Sequence, residues 1–195
     1  LRGKENAEEI REQVAKITRE GMSGDIPYRE SITKRLELVQ LHRDHIAEVI
    51  DHLKGCISPS FVANKEYFQE HIDQVYIISN GFKEVIEPVV ELCGIGAPQV
   101  YASNLEYDEE GFVIGVEESI LLEEGGKGHQ LATLELGEDT VVVGDGYTDY
   151  LMKKVGGAKA FIAYIEHVRR DSVTIEADFI AESFDEVIKY ITNHE

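Results

Sequence analysis

Asp145 and Asp149 stand four residues apart in the run Gly144-Asp145-Gly146-Tyr147-Thr148-Asp149. Two carboxylates at that spacing around a glycine turn can meet one hard cation such as Mg²⁺, which takes oxygen ligands. Ser79 follows the apolar run Val75-Tyr76-Ile77-Ile78 and precedes Asn80-Gly81. A hydroxyl and turn amides placed there, ahead of a helix, suit an anion, because helix N-termini present unpaired N–H groups. Lys127 lies in Gly125-Gly126-Lys127-Gly128, which reads as a flexible loop from which an ammonium reaches a phosphate as a point charge. The chemistry these residues suggest is the binding of a phosphate and a divalent cation in one crevice.

Each group also has a plainer reading. A serine after a strand serves as a helix cap, an Asp-Gly pair makes a turn, and a loop lysine is a solvated charge. Two nucleotide-binding readings are excluded by spacing. The Lys127 loop lacks the upstream glycine and the following Ser/Thr of a P-loop, and Gly144-x-Gly146-x-x-Asp149 lacks the third glycine of a dinucleotide fingerprint. His42, His45 and His52 fall within about 80° of one another on an ideal helix, compatible with a metal site, but they read better as the polar edge of an amphipathic helix.

These groups need elements to hold them. Residues 5–70 carry helical periodicity, with Ile10, Val14 and Ile17, then Ile32, Leu36 and Val39, then Ile46, Val49, Ile50 and Leu53 each on one face. Breaks fall at residues 21–27 and 55–60, where glycine and proline gather. From residue 74 the pattern changes. A short strand at 75–78, a tight turn at Ser79-Asn80-Gly81 and a helix kinked at Pro88 follow in order. Strands are predicted at 100–102, 140–143, 160–164 and 178–181, with a hairpin over 105–116 and a final helix opened by a Ser183-x-x-Glu186 capping box. Strands alternating with helices predict an α/β fold with a Rossmann-like parallel sheet over residues 71–195, and residues 1–70 form a helical cap. In such a sheet ligands bind beyond the carboxyl ends of the strands, which is where both polar clusters fall.

Composition narrows the partners. Acidic residues outnumber basic ones by 38 to 19, so nucleic acid and anionic membrane surfaces are repelled, and a phosphate site is a local exception. No stretch approaches a transmembrane span and no apolar leader opens the chain, which predicts a soluble, cytoplasmic protein. Cys56 and Cys93 sit in apolar stretches and read as buried, reduced thiols. The chain opens on Leu1, directly into a helical pattern, and reads as a piece of a longer one.

Taken together, Ile77-Ile78-Ser79-Asn80-Gly81-Phe82, Gly126-Lys127-Gly128 and Val143-Gly144-Asp145-Gly146-Tyr147-Thr148-Asp149 resemble the second, third and fourth motifs of the haloacid dehalogenase superfamily, in order and spacing. Ile17-Thr18-Arg19-Glu20-Gly21-Met22-Ser23-Gly24, Tyr28 and Ser31-Ile32-Thr33-Lys34-Arg35-Leu36 resemble the helical cap of its phosphoserine phosphatases. The resemblance implies an inserted helical-bundle cap on a Rossmannoid core and a Mg²⁺-dependent phosphomonoesterase acting on a small phosphorylated metabolite, L-phosphoserine first, in serine biosynthesis. It implies that Ser79 and Lys127 bind the phosphoryl group, that Asp145 and Asp149 serve the metal, with Asp149 also supporting Lys127, and that Asn80 and Gly81 line the site. It further implies that Arg35 reaches the substrate carboxylate from the cap and that Met22 and Tyr28 line the pocket. The superfamily's first motif, an Asp-x-Asp-x-Thr strand supplying the nucleophile and the general acid/base, occurs nowhere in the sequence and would precede Leu1, so the chain by itself is expected to be inactive. Asn80 departs from the glycine usual in phosphoserine phosphatases, which keeps a phosphatase for another small ester open. A non-catalytic domain of the same fold, and fusion to or association with a dehydrogenase domain, are the further expectations.

Overall fold

A computed structural model of the chain describes residues 6–23, 25–137 and 139–194, with the side chains of Met22 and Ser23 outside that description. The first part is helical. Helices α1 (Ala7–Ser23), α2 (Tyr28–Val39) and α3 (Asp44–Lys54) follow the predicted periodicity and bury Ile10, Ile32 and Ile46. Helices α1 and α2 approach closely because Gly21 has no side chain: a Cβ there would come 2.8 Å from the Cβ of buried Ser31. The Ser31 hydroxyl instead donates to the Ile17 carbonyl at 3.1 Å. Two short helices, α4 (Pro59–Ala63) and α5 (Lys65–Glu70), lead out of this part.

Parallel pairing follows. Strand β1 (Ile77–Phe82) pairs with β2 (Val100–Ser103), and between them runs α6 (Lys83–Val90), which accommodates Pro88. A hairpin of β3 (Leu105–Tyr107) and β4 (Val113–Val116) leads to α7 (Gly126–Thr133). Strand β5 (Val141–Gly144), helix α8 (Tyr147–Gly156) and strand β6 (Ala160–Tyr164) form a βαβ unit. A short helix α9 (Asp171–Thr174), strand β7 (Phe179–Ala181) and α10 (Phe184–His194) complete the described chain. Strands β5, β6 and β7 make a parallel sheet in that order. Its middle strand is the driest part of the protein, with Phe161, Ile162 and Ala163 fully buried, as expected of a strand covered on both faces. Phe61 of α4 and Phe68 of α5 pack edge-on against Phe184 at the start of α10, the ring centres of the three 4.4–5.4 Å apart.

Several expectations require correction. The predicted parallel α/β core is present, in two sheets: among the described residues β1 and β5 each have a ladder partner on one side only, and a cavity of about 820 Å³ lies between them. Val75, Tyr76, Ile77 and Ile78 line one wall and Val141, Val142 and Val143 the other, with Phe61, Phe68 and Phe184 contributing aromatic surface. Ser79-Asn80-Gly81 is not a tight turn; β1 continues through it to Phe82, with an irregularity in register after Ile78. Cys93 is buried as expected, but Cys56 is exposed beyond the end of α3. Glu186 caps one residue earlier than predicted, accepting from the backbone N–H of Glu182 at 2.7 Å. The hairpin packs against the helical part, since Val113 N–H donates to the Leu41 carbonyl at 2.8 Å and Leu105, Val113 and Ile46 share one apolar cluster.

No helix among the described residues is long and apolar enough to cross a membrane. The three histidines gather no metal-binding group: among the described residues, no cluster of three His, Cys, Asp or Glu side chains can hold an ion. His42 instead contacts the hairpin, its Nε2 2.8 Å from the Glu110 carbonyl oxygen.

Candidate active site

The carboxyl end of β5 runs into Gly144-Asp145-Gly146, and α8 begins at once. Asp149, in the first turn of α8, folds back so that its Oδ2 accepts from the Gly146 N–H at 2.9 Å. A first-turn carboxylate turned onto the helix start satisfies a backbone donor and complements the helix dipole. Its other oxygen, Oδ1, accepts from Lys127 Nζ at 2.7 Å, with the two side chains only 12% and 14% exposed. Gly144 makes room for this arrangement, because a Cβ there would collide with the Asp149 carboxylate.

Lys127 does not stand on a loop; it belongs to the first turn of α7, after Gly125 at φ 69°. Gly126 explains how the helix starts so close to the preceding 3₁₀ turn, since a Cβ there would meet the Leu121 Cα at 2.8 Å. Helix α7 packs on α8 and also on β1, so it spans the two parallel sheets. It carries Lys127 against Asp149 at the start of α8.

On β1 the Ser79 hydroxyl oxygen accepts from the Gly81 N–H at 3.0 Å. The Asn80 carbonyl accepts from the Tyr28 hydroxyl at 2.5 Å, which joins the start of α2 to the end of β1 across 52 residues of sequence. Burial pushes the Tyr28 phenol up to about 12, against the opposing charge of Arg35. Asn80 Oδ1 is buried and finds no hydrogen-bond partner among the described residues. Arg35 turns back on its own helix, its Nε donating to the Ser31 carbonyl at 3.1 Å. The Met22 side chain lies outside the described residues.

Asp145 is half exposed, and its partner was not foreseen from the sequence. Arg170 Nη1 donates to the Asp145 carbonyl oxygen at 2.9 Å and to its Oδ2. The adjacent arginines Arg169 and Arg170, in a chain short of basic residues, were the available signal. Mg²⁺ commonly binds through one or two carboxylates, completing its octahedron with water and phosphate oxygens. Asp145, just beyond the carboxyl end of β5, fits as one such ligand. Asp149 has both oxygens already engaged and suits the role of lysine partner.

A parallel α/β core with a lysine, a serine and two carboxylates near the carboxyl ends of its strands defines an anion-handling enzyme fold of the open-sheet kind. Comparison narrows the class. The chain is 30% identical to the chloroplastic phosphoserine phosphatase of Arabidopsis thaliana over 179 residues, covering 90% of this chain and 61% of that protein. It is 30% identical to the phosphoserine phosphatase of Bos taurus over 183 residues, covering 92% and 80%. A solved phosphoserine phosphohydrolase-like protein from Francisella tularensis superposes with a TM-score of 0.77 at 25% identity, covering 95% of this chain and 87% of that one. A phospho-aspartyl intermediate analogue of phosphoserine phosphatase superposes with a TM-score of 0.72 at 28% identity, covering 92% and 85%. A scan against protein-family models finds no match. The chain belongs to the phosphoserine phosphatase family, within the haloacid dehalogenase superfamily.

Proposed function

We propose that this chain carries the cap and most of the catalytic core of a Mg²⁺-dependent phosphomonoester hydrolase whose substrate is L-phosphoserine. The observation that carries the reading is the buried Lys127–Asp149 pair, 2.7 Å apart, at the helix start beyond β5. An ammonium held there by one carboxylate neutralises charge on a phosphoryl group and on an incoming anionic nucleophile, and transfer of this kind is catalysed chiefly by positioning and electrostatics.

In this reading Ser79 and Lys127 hold the phosphoryl oxygens, with Asn80 and Gly81 lining the site, and Asp149 holds Lys127. Asp145 is a ligand of Mg²⁺, which when bound neutralises phosphoryl charge. Arg35 leaves its own helix to meet the substrate carboxylate, and Tyr28 lines the pocket from the cap. The nucleophile is a carboxylate on a strand seated between β1 and β5. Its oxygen attacks phosphorus, the bond to the seryl oxygen breaks, and a second carboxylic acid on that strand protonates the leaving alcohol; water then releases phosphate. Within the sequence given, no Asp-x-Asp-x-Thr motif supplies those groups, and this reading expects the chain by itself to release no phosphate.

A second substrate reading has its own observation. Asn80 Oδ1, buried beside Ser79 without a hydrogen-bond partner among the described residues, is an acceptor that a small ester bearing a different donor group would satisfy. A panel of small phosphate esters, offered to the chain extended upstream by its native residues, tests both. L-Phosphoserine as fastest substrate supports the first reading; a different ester preferred by tenfold or more moves the assignment to the second; no hydrolysis of any ester by the folded protein contradicts both.

A further inference from the structure

We propose that Arg170 is a built-in competitor for the cation site at Asp145, so that divalent-ion binding and docking of the loop after β6 exclude each other. The inference rests on the proposed role of Asp145 as a metal ligand, and it concerns a residue that this role does not itself require.

Arg170 Nη1 donates to two oxygens of the same residue, the Asp145 carbonyl and its Oδ2. Those are hard oxygen donors at the carboxyl end of β5, the kind a divalent ion selects. A guanidinium and a divalent ion cannot share the face of Asp145 that carries both, because each is a cation and each occupies the space the other needs. Arg170 is also the residue that opens α9, so its side chain ties residues 165–170, between β6 and α9, to β5. The tie is built to be reversible. Arg170 is 35% and Asp145 52% exposed, and an ion pair that open to water is worth little, which lets a divalent cation displace it. The acidic excess of 38 over 19 raises the local cation concentration and favours that displacement.

Its neighbour provides an internal control. Arg169 lies in the same loop and pairs with Asp171 at 3.5 Å. Removing Arg169 changes the net charge by the same amount without touching Asp145.

The test uses Mn²⁺ as the probe, titrated into this chain and its variants and read by the loss of its free-ion electron paramagnetic resonance signal. Arg170→Gln should tighten the strongest Mn²⁺ site about fivefold, Arg169→Gln should stay within about twofold, and Asp145→Asn should abolish that site. Hydrogen exchange at residues 166–172 provides a second measurement that does not depend on the arginine variants. In the unmodified chain, exchange there should rise when Mn²⁺ is added, and Asp145→Asn should raise it without the ion. Equal tightening by Arg170→Gln and Arg169→Gln, no tightening by either, or a loop whose exchange ignores both Mn²⁺ and Asp145→Asn would overturn the proposal. None of these readouts needs turnover, so an upstream-extended protein that hydrolyses no ester would sink the phosphatase reading alone.

Discussion

Lys127 Nζ lies 2.7 Å from Asp149 Oδ1, and neither side chain is more than 14% exposed. The pair joins the first turns of α7 and α8, the helices that follow the hairpin and β5. Removing one member of such a pair leaves a charge nearly out of water, which costs about 3–5 kcal/mol, whereas removing both with apolar replacements costs far less. Lys127→Met and Asp149→Leu should each destabilise the chain by about 3 kcal/mol, and the double variant by markedly less than their sum. Urea unfolding of the four proteins checks this; additive losses would show that the pair is not coupled.

Gly144 and Gly126 should be intolerant of alanine for different reasons. At Gly144 the new methyl collides with the Asp149 side chain, so Gly144→Ala should turn that carboxylate away from Lys127 and Gly146. At Gly126 the methyl meets the Leu121 backbone, which cannot rotate aside. Gly126→Ala should cost about 2–3 kcal/mol through overpacking, while Gly137→Ala, whose new Cβ meets nothing, should lose only what its φ of 94° demands. Thermal melts of the three variants rank these effects.

The Tyr28 phenol supplies a pH signature. It is mostly buried, donates to the Asn80 carbonyl and is pushed up to about 12 from an ordinary 10.0. Between those values the folded state keeps a proton that the unfolded chain has lost, so stability falls as pH rises. Its contribution is fully present below about pH 10 and is lost through about pH 12, on the order of 2 kcal/mol in total. Tyr28→Phe should remove that component of the slope. Urea midpoints of both proteins at pH 9 and pH 11.5 check it, and parallel declines would contradict it.

The open slot between β1 and β5 has a stability consequence. Its walls are apolar and two strand edges face it with backbone groups that lack ladder partners on that side. A strand seated there would bury the walls and complete both ladders. The chain extended upstream by its native residues should therefore melt higher and bind less of a hydrophobic dye than the chain given; equal melting temperatures would sink the idea.

Much of this architecture was legible because local pattern and tertiary role agree. The β-branched run Val141-Val142-Val143 is a strand wherever it is placed, and Gly144-Asp145-Gly146 must break it. Pro88 within α6 was readable for the same reason, since the apolar spacing around it outweighs one lost hydrogen bond. What escaped depends on residues far apart in sequence. Nothing near Lys127 says that its loop winds into a helix, although its support by Asp149 is what the family resemblance implies, and nothing near Asp145 names Arg170, 25 residues on. Ser79-Asn80-Gly81 looked like a turn by composition, yet pairing of Phe82 with Ser103 keeps it in the strand.

The most direct test of the central claim is phosphate release from L-phosphoserine in the presence of Mg²⁺, measured on this chain and on the chain extended upstream by its native residues. The account predicts release by the extended protein, loss of that release in its Lys127→Met variant, and none from the chain given. Equal activity of the two would contradict the requirement for a strand between β1 and β5, and inactivity of both, with each correctly folded, would contradict the phosphatase assignment itself.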